Sequence, residues 1–178
     1  MKYLFFLYFL SFSSILNAQR KINEKDILKI KTEIETEISI FKDSLNNSEK
    51  NLKPIDLEFK TDIYKIEKLA EKKISINYST IGMSNTVFEL EKNYDKLLNK
   101  YYKILAEKLN YEDKEKLKKS QKNWLKFRDS ERILVGIISK TQYSGGGTIQ
   151  SNIRAGKICD ITKKRVYEIK EYIDQFIE

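Results

Sequence analysis

The chain has 178 residues and a formal net charge of +8, with 34 Lys and Arg against 26 Asp and Glu. Six Gly and one Pro are too few for the frequent turns of an all-β sandwich or barrel, and 40% hydrophobic residues is too many for a disordered polyampholyte. The lack of His removes His-dependent catalysis and His-containing metal sites, and a single Cys leaves no intramolecular disulfide, Cys-rich zinc site or two-Cys redox motif, so neither a cofactor nor a metal is expected.

The first eighteen residues have the layout of a secretory signal peptide. Lys2 gives a short positive start, residues 3–10 are unbroken apolar, residues 11–16 continue more weakly, and Leu16-Asn17-Ala18 puts a small residue before the cut. The strongly apolar part is shorter than the roughly 20 residues a spanning helix needs, and no Cys sits near the cut to carry a lipid. Cleavage after Ala18 is therefore expected, with the protein periplasmic or secreted and no transmembrane span remaining. Loss of Lys2 takes the formal charge from +8 to +7.

Helical patterns follow one another from there. Asn23 can cap a helix running to about residue 45, whose stripe is Ile27, Ile30, Ile34, Ile38, Phe41 and Leu45 at three-to-four spacing. Asn46-Asn47-Ser48 and Lys53-Pro54 divide it from a second helix over about 56–74, striped by Ile63, Ile66, Ala70 and Ile74. Residues 76–84 are polar, contain Gly82, and read as a connection. A third helix over about 85–109 carries Val87, Leu90, Tyr94, Leu98, Tyr101, Leu105 and Leu109. Asp113 then reads as the N-cap of a fourth, with Leu117, Trp124, Leu125, Phe127, Leu134, Ile137 and Ile138 as its apolar set, ending at Tyr143-Ser144-Gly145-Gly146-Gly147. A short helix over 149–158 and a last one capped by Asp160 or Thr162, striped by Val166, Ile169, Ile173 and Phe176, complete an all-α chain. The expected organisation is a signal peptide at 1–18, an N-terminal helical extension at 19–77 and a helical bundle at 78–178.

Few residues carry chemistry. Gly145-Gly146-Gly147-Thr148 resembles half of a phosphate loop, but no Gly-Lys-Ser/Thr follows; turning the chain needs only glycine's access to positive φ. Lys114, Lys116, Lys118, Lys119, Lys122, Lys126, Arg128 and Arg132 make the helix around Trp124 basic. They surround that helix rather than line one face, so a solvated surface is expected and no nucleic-acid partner. The carboxylate pairs Glu89/Glu91 and Glu112/Asp113 are what any charged surface helix supplies. Gln121, Trp124 and Arg128 share a helical face, which predicts a buried hydrogen-bonding node joining helices. Cys159 is expected to be a free thiol packed as a small hydrophobe.

Four stretches, in order, resemble the LprI-type lysozyme-inhibitor family. Asp95, Leu98, Asn99 and Tyr102 match its D-x-x-L-N-x-x-Y, and Gln121, Trp124, Phe127, Arg128 and Asp129 its Q-x-x-W-x-x-[YF]-R-D. Gly146, Gly147 and Thr148 match a G-G-[ST] loop, and Cys159, Thr162 and Arg165 a C-x-x-x-T-x-x-R in which Thr162 stands one place early. The resemblance covers about residues 78–178. It implies a small exported helical domain without enzymatic activity that inhibits lysozyme, a peptidoglycan hydrolase. It also implies paired cysteines, for which this chain has Thr86 and Arg132 at two of the positions. A different reading makes the chain a structural or interaction module of the bacterial envelope, binding a protein partner through its N-terminal amphipathic helix. For the inhibitor, the glycine loop at 143–148 is the expected contact surface, since recognition residues sit on loops of rigid scaffolds. A charge of +7 opposes basic animal lysozyme at long range.

Overall fold

A computed structural model describes residues 20–176, so the signal segment lies outside the described residues. Six helices follow in order: α1 (Glu24–Ser48), α2 (Pro54–Ile76), α3 (Thr80–Glu107), α4 (Tyr111–Ile138), the single turn α5 (Thr141–Ser144) and α6 (Ile149–Asp174). The chain is all-α, as its composition and periodicity predict.

Local chemistry explains most boundaries. Asn23 and Asp26 form a reciprocal capping box at the start of α1, each side chain accepting from the other's backbone N–H at 3.0 and 2.9 Å. Pro54 opens α2, where its missing N–H costs nothing. α3 begins earlier than expected because the Ser79 side chain accepts from Gly82 N–H at 3.0 Å. Residues 80–84, read as part of a connection, are therefore helical, and Gly82 is required there because a Cβ would lie 2.3 Å from Asn77 Oδ1. The cap of α4 is Asn110, not Asp113, whose N–H instead donates to Asn110 Oδ1 at 2.9 Å. The two expected C-terminal helices are one. Asp160 is exposed within α6, and the Thr162 hydroxyl donates to Glu91 of α3 at 2.8 Å instead of capping its own backbone.

Cross-helix contacts fix the topology. Ser84–Asn152 and Glu91–Thr162 make α3 and α6 parallel, and these two share the most extensive interface of the fold. Tyr101–Asp62 with Tyr94–Glu67 sets α2 antiparallel to α3 on one flank. Asp95–Arg128 with Glu91–Arg132 sets α4 antiparallel on the other. Tyr94, Leu98, Tyr101, Val166 and Ile169 form the centre of the core, joined by Phe59 and Ile63 of α2. Burial and the Glu67 carboxylate beside it push the Tyr94 hydroxyl well above the ordinary tyrosine range. α1 packs Ile30, Ile34 and Ile38 on Tyr64, Leu69 and Ile76 of α2, with Lys72 holding Glu33 and Glu37 at 2.8 Å each. The apolar stripe of α1 is thus covered by its own chain, which leaves the interaction-module reading without the surface it invoked. Among the described residues no helix is long and apolar enough to cross a membrane.

Candidate functional site

Helical spacing presents the family-motif residues in three groups. On α3, Asp95, Asn99 and Tyr102 stand at i, i+4 and i+7; on α4, Gln121, Trp124 and Arg128 stand at i, i+3 and i+7; on α6, Thr162 and Arg165 stand at i and i+3. The antiparallel pairing of α3 and α4 then brings the first two groups face to face. Asp95, Asn99, Tyr102, Gln121 and Arg128 line one cleft of about 350 Å³, with Leu98 at its floor and Lys118 and Lys122 beside them. A hollow of about 550 Å³ elsewhere, between α1, α2 and α6, contains none of these residues.

The cleft wall is a polar and aromatic lattice. Arg128 Nη1 donates to Asp95 Oδ1 at 3.0 Å and Nε to Asp129 Oδ1 at 3.1 Å, while Asn99 donates to the Asp95 carbonyl at 2.8 Å. Arg165 reaches across from α6, donating from Nε to Gln121 Oε1 at 3.2 Å and from Nη1 to Glu168 at 3.0 Å. The indole of Trp124 has the Arg128 guanidinium at 5.4 Å and the Arg165 guanidinium at 5.8 Å from its centroid, both within cation–π range. This second contact explains how Arg165 Nη2 stays buried without a hydrogen-bond partner: the ring face takes part of its charge. Trp124 packs on the core but is only half-buried, less enclosed than its place on the helix predicts.

One turn back along α3, a second polar tie joins the same three helices. Glu91, 6% exposed, accepts from Thr162 at 2.8 Å and from Arg132 Nη2. Arg132, at a position where the resemblance implied a cysteine, thus links α4 to α3 by an ion pair. The sequence reading put Glu91 on a charged surface, although it sits three residues before Tyr94 and seven before Leu98, on the buried stripe. Cys159 is a free, buried thiol; burial, and then the neighbouring Asp160, push it up to about 12, which keeps it protonated and unreactive.

Gly146 and Gly147 are not part of this assembly. Gly145, Gly146 and Gly147 all have positive φ, +76°, +78° and +87°, so the turn between α5 and α6 itself demands glycine. Sixteen residues of α6 separate Ile149 from Arg165, roughly 24 Å of helix.

A family model described as lysozyme inhibitor LprI matches residues 71–169, more than half of the chain. The protein belongs to the LprI family. The matched span takes in α3, α4, α5 and most of α6, together with the end of α2. Among curated proteins, this LprI chain is similar to an uncharacterised protein of Rhizobium meliloti, 28% identical over 93 residues, covering 45% of this chain and 63% of that one. This chain thus spans less than two thirds of that relative. No solved structure matches.

Proposed function

We propose that this LprI-family protein is an exported, non-enzymatic inhibitor of a lysozyme-type peptidoglycan hydrolase, released into the periplasm or medium by cleavage after Ala18. The α3–α4 cleft is its recognition face. The observation that carries this reading is convergence: residues 95, 99, 102, 121 and 128, separate in sequence and all in the family motifs, line one cleft, braced from α6 by Arg165. Such residues hold a shape and a charge pattern and need no turnover. The glycine loop is then a turn, and the contact surface moves from residues 143–148 to the cleft.

Charge narrows the partner. Lys118, Lys122 and Arg128 stand at the cleft against Asp95, and the whole chain is basic. Electrostatic complementarity sets encounter rate and rejects like-charged partners, so the target is an acidic muramidase rather than a basic animal lysozyme. The test titrates residues 19–178 into one enzyme of each kind. Stoichiometric loss of the acidic enzyme's activity is expected, weakened roughly tenfold or more by Lys118→Glu with Lys122→Glu. No inhibition of either enzyme at micromolar concentration overturns the proposal.

A further inference from the structure

One end of the molecule departs from the pattern of the rest. The last turns of α4 turn a broad apolar arc outward: Ile133, Leu134, Ile137 and Ile138 are 66%, 45%, 40% and 47% exposed. Tyr143 of α5 is also exposed, as are Ile149 and Ile153 in the first turns of α6. The Ser84–Asn152 bond and the Glu91–Arg132 pair place the end of α4 and the start of α6 together, beside the start of α3. From Ile133 to Cys159 the sequence has no Asp or Glu, and its charges are Lys140, Arg154 and Lys157.

We propose that this tip docks on an anionic lipid surface, entering the interface with its apolar turns while the cations meet the headgroups. Three features favour a bilayer over a protein. The exposed apolar residues are spread over α4, α5 and the start of α6. At 3.6 residues per turn, Ile133, Ile137, Leu134 and Ile138 spread over an arc of about 140° on α4, which a flat, rigid partner meets only in part. A fluid interface surrounds the whole arc. The depth also fits: residues 133–138 span roughly 7.5 Å of helix and 149–153 roughly 6 Å, against about 5–10 Å for segments seated at the headgroup–acyl boundary. Finally, Arg20 N–H donates to the Ile76 carbonyl at 3.4 Å, so the chain before α1 joins the body at this end. The expected cut after Ala18, two residues before Arg20 in the sequence, would release the protein from the membrane at this end.

Residues 20–176 carry the whole described fold, so residues 19–178 suffice for the test. The protein is floated with phosphatidylcholine vesicles, with and without phosphatidylglycerol. Partition roughly tenfold stronger with the anionic lipid is expected, falling in high salt. Ile137→Glu with Ile149→Glu, both at exposed positions, should lower it roughly tenfold with unchanged helicity by circular dichroism. Failure of the native protein to float, or flotation that the double variant leaves intact, overturns the proposal. So does a concentration-dependent dimer that the variant dissociates in the absence of lipid binding, which would assign the tip to a second copy. Hydrolase inhibition measured on the same samples is independent of every one of these outcomes.

Discussion

α3 and α4 are each 28 residues long and lie side by side, yet they are held by different forces. α3 buries Tyr94, Leu98, Tyr101 and Leu105 along one stripe, and Ser84, Thr86 and Glu91 besides. α4 buries Val135 and no other residue. What attaches it is directional: Arg128 to Asp95, Arg132 to Glu91, Gln121 to Arg165, and the Trp124 ring between two guanidinium groups. Apolar burial tolerates sliding, because it is roughly proportional to area and has no direction. Charge-assisted hydrogen bonds do not tolerate it, and each is stronger than a neutral one. α3 therefore supplies stability, while the contacts of α4 fix its register and keep a polar cleft open between the two helices.

The contrast is broken or upheld most directly by a core truncation. Leu98, 2% exposed among Tyr94, Tyr101 and α6 side chains, should cost about 3 kcal/mol as Leu98→Ala, within the range for buried leucines. Urea unfolding measures it. A cost below about 1 kcal/mol would mean that α3 is not the stabilising element, since such a loss is common at the surface.

Trp124 comes next. It packs on the core with one side and meets two guanidiniums with its faces, so Trp124→Ala should cost about 2 kcal/mol, less than the 3–5 of a fully enclosed aromatic but more than a lone cation–π pair. As the only Trp, it reports on itself. Native emission should lie between the buried and exposed limits, and Arg165→Lys should move it red and raise its quenching by iodide. Emission already at the exposed limit would show the indole unclamped and α4 detached.

Helix identity was legible where apolar residues recur at three-to-four spacing, as in Ile30, Ile34 and Ile38, because that spacing is the physical requirement for covering one side of a helix. It failed where small polar residues do the packing. Ser84 looks like the end of a connection, yet it is buried within α3 and donates to Asn152 at 2.5 Å. Thr162 looks like a cap for the same reason: a hydroxyl that could serve its own backbone serves another helix, and nothing local reveals which. The candidate site was legible helix by helix, since 95, 99 and 102 must share a side, as must 121, 124 and 128. That these two sides face each other is a tertiary fact. Periodicity also names a stripe without saying whether anything covers it. Phe127 and Leu134, both in the apolar set of α4, are 54% and 45% exposed.

Phe127 gives the smallest expected effect and the sharpest form of the contrast. It is a family-motif aromatic one residue before Arg128 and three after Trp124, yet it is 54% exposed where those two are partly buried. Removing an exposed ring deletes few contacts and opens no cavity, so Phe127→Ala should change stability by less than about 0.5 kcal/mol. Helix propensity even favours the change slightly, because Ala keeps all its side-chain freedom while Phe loses χ1 freedom against the preceding turn. Leu98 and Phe127 are both large apolar motif positions on adjacent helices, and the expected ratio of their effects is at least roughly sixfold. A loss above about 1.5 kcal/mol at Phe127 would mean that its ring is covered in solution, and that α4 buries a second side that the isolated chain leaves open.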